Sequence, residues 1–366
     1  MFPFLLTLQQ IKKPQNMRRI LLLTLAVILT TLALAAQGKK YQVFGVAFYN
    51  LENLFDTINN NGSYDLEFSP QGSRNWTGKK YRDKIHNLAY AISNLKSDIT
   101  PKGPAIIGIS EVENRSVVED LVKDEQIRSM NYRIIHHDSP DRRGIDVGFI
   151  YNPRLFSVLN VTHHLLYLPD NPDFRTRDQT CVTGLLGGEK VSIIVGHWPS
   201  RTGGEASSRH LRIAAAKLAK HIADSVLSVD PNQGVIIMGD LNDDPFNESC
   251  AEIIGAVKDQ KDVKDGGWYN PWWSVLDKGI GSLAYRGQWN LFDQILVNSN
   301  LVGKNRDTLK YLKCKVHNDI PGMKTESGDR QGYPLRTFSS GIYLNGFSDH
   351  FPTQIFLVRE VKMPKK

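Results

Sequence analysis

Four large hydrophobes in succession, Val235 to Met238, run directly into Gly-Asp-Leu-Asn-Asp-Asp-Pro. An apolar run without alternation reads as a strand covered on both faces, and Gly239 lets the backbone turn where a side chain would be crowded. Whatever follows sits at the tip of a core strand. Asp240, Asn242, Asp243 and Asp244 form there either a solvated turn, since Asp, Asn and Pro are ordinary loop formers, or the floor of a polar pocket.

The pattern recurs five times, which favours the pocket. VAFYNLEN places Asn50 and Glu52 at a strand end, and IIGISEVEN places Glu111 there. VGHWPSR contributes His197, LFDQIL contributes Asp293, and GFSDHFP contributes Asp349 and His350. Strand ends carrying only Asn, Asp, Glu and His suggest one convergent site.

Between these strands lie helical patterns. Tyr81, Ile85, Leu88, Ala89, Ile92 and Leu95 recur at three and four, as do Leu211, Ala214, Ala215, Leu218 and Ile222, so each set marks a helix with one buried face. Residues 247–257 read as a shorter helix with Asn247 as its N-cap. Strands dominate with helices spaced among them, which favours a sheet-on-sheet core with helices outside, in one α/β domain. Residues 59–79 and 318–338 read as turn-rich loops of the kind that border sites. Residues 259–290 are crowded with Trp268, Tyr269, Trp272, Trp273, Tyr285 and Trp289, aromatics that either roof the core or stack on bases or lipid head groups.

The first 36 residues stand apart. From Met17 the chain reads MRRILLLTLAVILTTLALAAQGKK: two arginines, an apolar run and a small-residue Ala33-Leu34-Ala35 site, the three parts of a secretory signal peptide. An uncleaved anchor helix is the alternative. Residues 1–16 read as an upstream-start artefact, because Met17 begins a complete signal. Without Lys12, Lys13, Arg18 and Arg19 the formal charge falls from +7 to about +3, too little to announce a nucleic-acid binder by itself. Cys181, Cys250 and Cys314 are too few and too scattered for a disulfide framework, leave room for one bridge after export, and have no zinc-type spacing.

Carboxylate and amide oxygens are hard ligands suited to Mg²⁺, with Mn²⁺ as the alternative; Mg²⁺ typically completes its octahedron with waters and substrate phosphate oxygens. A carboxylate-lined pocket would repel a phosphoester without such a cation, and imidazoles beside it could donate to the phosphate or move protons. The chemistry indicated is metal-assisted phosphoester hydrolysis.

The ordered motifs N-x-E, S-E, G-H-W-P-S, G-D-L-N, F-D-Q and S-D-H resemble the endonuclease/exonuclease/phosphatase superfamily of DNase I-like enzymes, across residues 41–358. The resemblance implies a four-layer α/β sandwich, two mixed β-sheets flanked by helices, occupying residues 37–366 after the signal peptide. It implies Glu111 as main metal ligand, helped by Asn50, Glu52 and Asp349. Asp240 would orient or deprotonate the attacking water, Asn242 would contact the scissile phosphate, and His350 would be the catalytic histidine with Asp293 on its other ring nitrogen. His197 would be a second phosphate contact. Ser110 before Glu111 and Leu291-Phe292 before Asp293 depart from the family pattern, and the second, which removes a nearby positive charge, weakens a close AP-endonuclease assignment.

The expected protein is an exported, monomeric, Mg²⁺-dependent nuclease acting on DNA or RNA, with no obligate protein partner. A phosphatase or phospholipase C-like hydrolase of inositol phosphates, sphingomyelin or another small phosphoester or lipid is the alternative, and a non-catalytic binding protein on the same scaffold a third. Glu52, Asp293 and Asp146 also read as structural carboxylates, with Asp146 either orienting His197 or pairing with Arg142 or Arg143. Arg175, Arg177, Arg201, Arg209 and Arg212 read as phosphate contacts or as solvated surface, and Asp243 and Asp244 as turn residues.

Overall fold

In the strand Gly234–Asp240, β8, the alternating residues face two different cores: Ile236 and Met238 pack between the sheets, while Val235 and Ile237 pack under a long helix. All seven residues of that strand are buried, which is why its sequence shows no polar alternation. The computed structural model describes residues 40–58 and 66–361; the expected signal segment lies outside them. Gln42–Arg359 form one compact unit, and the flanks Met1–Tyr41 and Glu360–Lys366 count as another, described only at residues 40, 41, 360 and 361.

In chain order, β1 (Tyr41–Leu54), α1 (Gly78–Ser93), β2 (Ile106–Val112), α2 (Arg115–Lys123), β3 (Arg133–His136) and β4 (Asp146–Tyr151) belong to the first half. Next come β5 (Phe156–His164), β6 (Gln179–Leu186), β7 (Glu189–His197), α3 (Glu205–Val229), β8 (Gly234–Asp240), β9 (Ala256–Val257) and β10 (Trp268–Tyr269). The remainder is α4 (Trp273–Leu276), a hairpin of β11 (Leu283–Tyr285) and β12 (Gln288–Asn290), β13 (Asp293–Asn298), β14 (Lys310–Val316), a second hairpin of β15 (Phe338–Ser339) and β16 (Ile342–Tyr343), and β17 (Thr353–Glu360).

One sheet has the order β14-β17-β1-β2-β4-β3 and the other β5-β6-β7-β8-β13-β10-β9. Both are mixed: β1 with β2 and β7 with β8 run parallel, while β2 with β4 and β8 with β13 run antiparallel. Helices α1 and α2 cover the outer face of the first sheet through Leu88, Ile92, Val117, Val118 and Leu121, and α3 covers the second through Ala215, Ala219 and Ile222. This is the four-layer α/β sandwich. Thr77 caps α1 by accepting from the Lys80 N–H, and Asn114 caps α2 by accepting from Val117.

One helix expectation is corrected. Residues 247–257 are not a regular helix but a π-helical turn, Ser249–Ile253, leading into β9. Trp268, Tyr269 and Trp272 are buried in the core, Trp268 and Tyr269 as strand residues, so among the aromatics of that region Tyr285 is the exposed one. The three cysteines are all free thiols.

Registry explains Gly239. Its residue pair on β7 is Gly196, and a Cβ on Gly239, at φ 153°, would lie 1.9 Å from the Gly196 carbonyl oxygen. Gly239→Ala is expected to destabilise the fold by about 3 kcal/mol or more, the range of overpacked and strained core sites, measured as a lower urea midpoint.

Candidate active site

The same registry assembles the polar tips. Asp240, last in β8, is paired with His197 at the end of β7 on one side and with Asp293 at the start of β13 on the other. The chain that leads into β17 then brings Ser348, Asp349 and His350 over the end of β1, where the Ser348 hydroxyl donates to the Asn50 carbonyl at 2.7 Å and accepts from the His350 N–H at 3.1 Å.

Asp240 Oδ2 is the convergence point. It accepts from Asn50 Nδ2 at 3.0 Å and faces His197 Nε2 at 3.6 Å and His350 Nε2 at 3.8 Å. Asp240 Oδ1 accepts from the Asn242 N–H at 3.0 Å, and the Asn242 amide donates to the Trp198 carbonyl at 2.9 Å. His350 Nδ1 lies 2.6 Å from Asp293 Oδ2, which also accepts from the Ser282 hydroxyl at 2.5 Å. Glu111 lies opposite, its Oε1 3.9 Å from His197 Nε2.

β-Bulges aim the glutamates. The β1–β2 register shifts between Asn50 and Leu54, and the β2–β4 register shifts between Ser110 and Val112. Glu52, Asn53 and Glu111 occupy these irregularities with φ of 48°, 51° and 60°, and Asn242 has φ 51°. Left-handed non-glycine residues cost roughly 1–3 kcal/mol each and cluster where a site over-determines the backbone.

Cations offset the buried carboxylates. Burial alone would raise the Glu111 pKa, but the Arg143 guanidinium, with both Nη atoms 3.3 Å from the carboxylate, and then His197 and His350, hold it far below the usual range. Arg143 also donates to Asn53 Oδ1, and the Asn53 N–H to Glu111 Oε2 at 2.9 Å. Glu52 accepts from the Thr337 N–H and hydroxyl at 2.7 and 2.8 Å and from Arg336 Nε at 3.2 Å, with the buried Lys84 ammonium 3.6 Å away. Arg336 Nη2 donates to Asp349 Oδ2 at 2.8 Å.

The residues named from sequence therefore lie in one neighbourhood. Glu111, His197, Asp240, Asp293 and His350 form its centre, Asn50 and Asn242 fix Asp240, and Asp349 stands at the rim. Glu52 is buried, with Oε2 engaged by Thr337 and Oε1 by Arg336. Asp146 takes the structural-carboxylate reading rather than a pairing with His197 or an arginine: it accepts from the Ser139 N–H at 2.8 Å and lies 3.1 Å from His136 Nε2. Asp243 and Asp244 are not solvated, since Arg212 and Arg201 bind Asp243 at 2.6 and 3.2 Å inside the fold. Arg177 is likewise structural, donating to the His197 and Trp198 carbonyls. No motif points to Arg336, Lys84, Thr337 or Ser282, which lie on loops and a helix face, and Arg143 has its place beside Glu111.

Burial pushes Asp240 up to about 7, His350 lowering it and Asp293 raising it. Burial would lower His350, but Asp293, by charge and hydrogen bond, and then Asp240 and Asp349 raise it well above its ordinary value. Burial and then Arg177 push His197 well below its ordinary value, so it is the neutral imidazole. Above pH 7 an ionised Asp240 and a protonated His350 coexist, an acceptor and a donor facing one point. Asp240, Asp293 and His350 each offer an atom within 4.8 Å of the others, and the oxygen donors of Glu111, Asn50 and Asp349 beside them fit a hard divalent cation.

Two mixed sheets closing on such a set define a phosphoester hydrolase. The sequence profile of the endonuclease/exonuclease/phosphatase family matches residues 45–359, and the chain belongs to that family. Similar solved structures include D. rerio TDP2 complexed with a single-strand DNA product (TM-score 0.52, 14% identity, covering 86% of this chain and 98% of that one). An endonuclease/exonuclease/phosphatase family protein from Bacteroides thetaiotaomicron gives TM-score 0.51 at 15% identity, covering 88% and 100%. A mannosyl-6-phosphatase from the same organism gives 0.50 at 15%, covering 86% and 99%. No curated protein matches the chain.

If Asp240 is the base and His350 the donor, kcat/KM rises as pH climbs through about 7 and falls only well above the usual histidine range. Asp293→Asn removes the charge that raises His350, so the alkaline limb moves to lower pH; pH–rate profiles of both proteins check this.

Proposed function

We propose that the protein is an exported, Mg²⁺-dependent phosphodiesterase that cleaves DNA or RNA. The observation that carries the catalytic part is the pairing of Asp240, low in charge demand below pH 7, with a His350 kept cationic by Asp293. Ionised Asp240 takes the proton of the attacking water. His350, oriented through Nδ1, presents its Nε2 proton to the phosphate, and Asn242 and neutral His197 hold the phosphate oxygens beside it. Glu111, Asp349, Asn50 and Glu52 would hold the cation, which when bound neutralises charge on the phosphate oxygens. Export rests on the leader read at residues 17–36.

The polymer substrate is supported by the site's position at the open end of both sheets, and the fold it shares with TDP2 solved with a single-strand DNA product is consistent with it. A second reading, hydrolysis of a compact phosphoester, has its own support. A cavity of about 500 Å³ adjoins Asp349 and Arg336, a volume suited to a small ligand, and the mannosyl-6-phosphatase shares the fold.

Glu111→Ala, Asp240→Ala and His350→Ala are each expected to lower turnover of plasmid or RNA by at least about 10³-fold with an unchanged circular dichroism spectrum. EDTA is expected to abolish activity and Mg²⁺ to restore it. Full activity in any of the three variants sinks the assignment. Polymer binding that weakens steeply between 50 and 200 mM salt supports the nuclease reading, and a shallow response the compact ester.

A further inference from the structure

We propose that the cavity beside Asp349 is a subsite for a second phosphate group, carried by the substrate beyond the one that is hydrolysed; this rests on the phosphoesterase reading above. The cavity, about 500 Å³, is lined by Tyr285, Arg286, Arg330, Tyr333, Arg336 and Asp349, among others. Asp349 and Arg336 border both this cavity and the active site, so the two share a wall.

The charge balance identifies the ligand. Three guanidiniums line the cavity against two carboxylates, Asp329 and Asp349. Arg336 is committed to Glu52 and Asp349. Arg286 and Arg330 have no carboxylate within ion-pair distance among the described residues. Arg330 Nη1 donates to the Ser339 hydroxyl at 2.7 Å, which fixes one edge of its fork, and Arg286 lies over the Tyr285 ring at 5.1 Å. Arginine forks matched to two or three oxygens are the usual protein response to phosphate.

The walls are held to the catalytic loop. Trp289 stacks on Phe351 with ring centroids 6.2 Å apart and meets Tyr333 edge-on at 5.5 Å. Phe351 directly follows His350, and its N–H donates to the Ser282 carbonyl at 2.7 Å while the Ser282 hydroxyl holds Asp293. The hairpin tip that carries Arg286 turns through left-handed backbone at Arg286 and Gly287, φ 48° and 83°. One aromatic ladder thus ties the position of the second-phosphate cations to the His350–Asp293 dyad.

The test compares substrates that differ by one phosphate, using the full-length protein with Mg²⁺. The arms are a thymidine dinucleotide with and without a 5′-phosphate, and a hexose bisphosphate against the corresponding monophosphate. Wild type is expected to prefer the doubly phosphorylated member of at least one pair by tenfold or more in kcat/KM, through KM. In Arg286→Ala/Arg330→Ala that preference is expected to collapse towards unity, whereas Lys217→Ala, on the exposed face of α3, keeps it. Preference in the dinucleotide arm identifies a strand terminus as the source of the phosphate, and preference in the hexose arm a compact bisphosphate. No preference in either arm, or a preference that survives the double substitution, overturns the subsite. If no phosphoester is hydrolysed at all, the enzymatic reading fails separately. Calorimetric titration with inorganic pyrophosphate in EDTA then decides the subsite: tenfold weaker binding by the double variant supports it, and equal binding overturns it.

Discussion

Burying carboxylates next to one another is the constraint that organises this molecule. Glu52, Glu111, Asp240 and Asp293 are each no more than 9% exposed at one end of the sandwich, and an uncompensated buried charge costs several kcal/mol. Each is matched differently: Glu52 by Lys84, Arg336 and Thr337, Glu111 by Arg143, Asp293 by His350 and Ser282. Asp240 alone is left with amide and imidazole neighbours. The absence of a dedicated cation is what lets burial raise its proton affinity, and it makes Asp240 the acceptor of the set.

Much of the frame was legible in the sequence because strand physics is local. A run such as VIIM reads as a strand buried on both faces, and the glycine after it as a place where a side chain would be crowded, met here by Gly196 on the parallel neighbour. Once β7, β8 and β13 are adjacent, registry places His197, Asp240 and Asp293 in a row, so the motif residues gather without any special folding of loops. Helices α1 and α3 follow for the same reason, their apolar spacing matching the cores they cover.

What was not legible depends on geometry that no local pattern encodes. A bulge that turns Glu111 out of β2 looks, in sequence, like an uninterrupted strand. Arg336 and Thr337 lie almost 300 positions from Glu52 and carry no motif, yet they occupy both of its oxygens. Asp243 and Asp244 look like turn residues because composition cannot show that Arg201 and Arg212 fold back onto them. The tryptophans of 259–290 left two readings open from composition, and burial decides for two of the four: Trp268 and Trp272 belong to the core.

Lys84 gives this arrangement a mechanical consequence. Its buried ammonium donates from the middle of α1 to the Thr337 hydroxyl and the Phe347 carbonyl, at 2.7 and 2.5 Å, and one turn along Asn87 holds the Asn345 and Gly346 carbonyls at 3.0 Å. Any swing of the 337–347 segment would take the Thr337 and Phe347 acceptors from the buried ammonium and leave it to the Glu52 carboxylate, 3.6 Å away. Helix and segment are therefore locked together through one buried charge, whereas the β11–β12 hairpin is held to the catalytic loop by the Trp289–Phe351 stack and by Ser282 at its base.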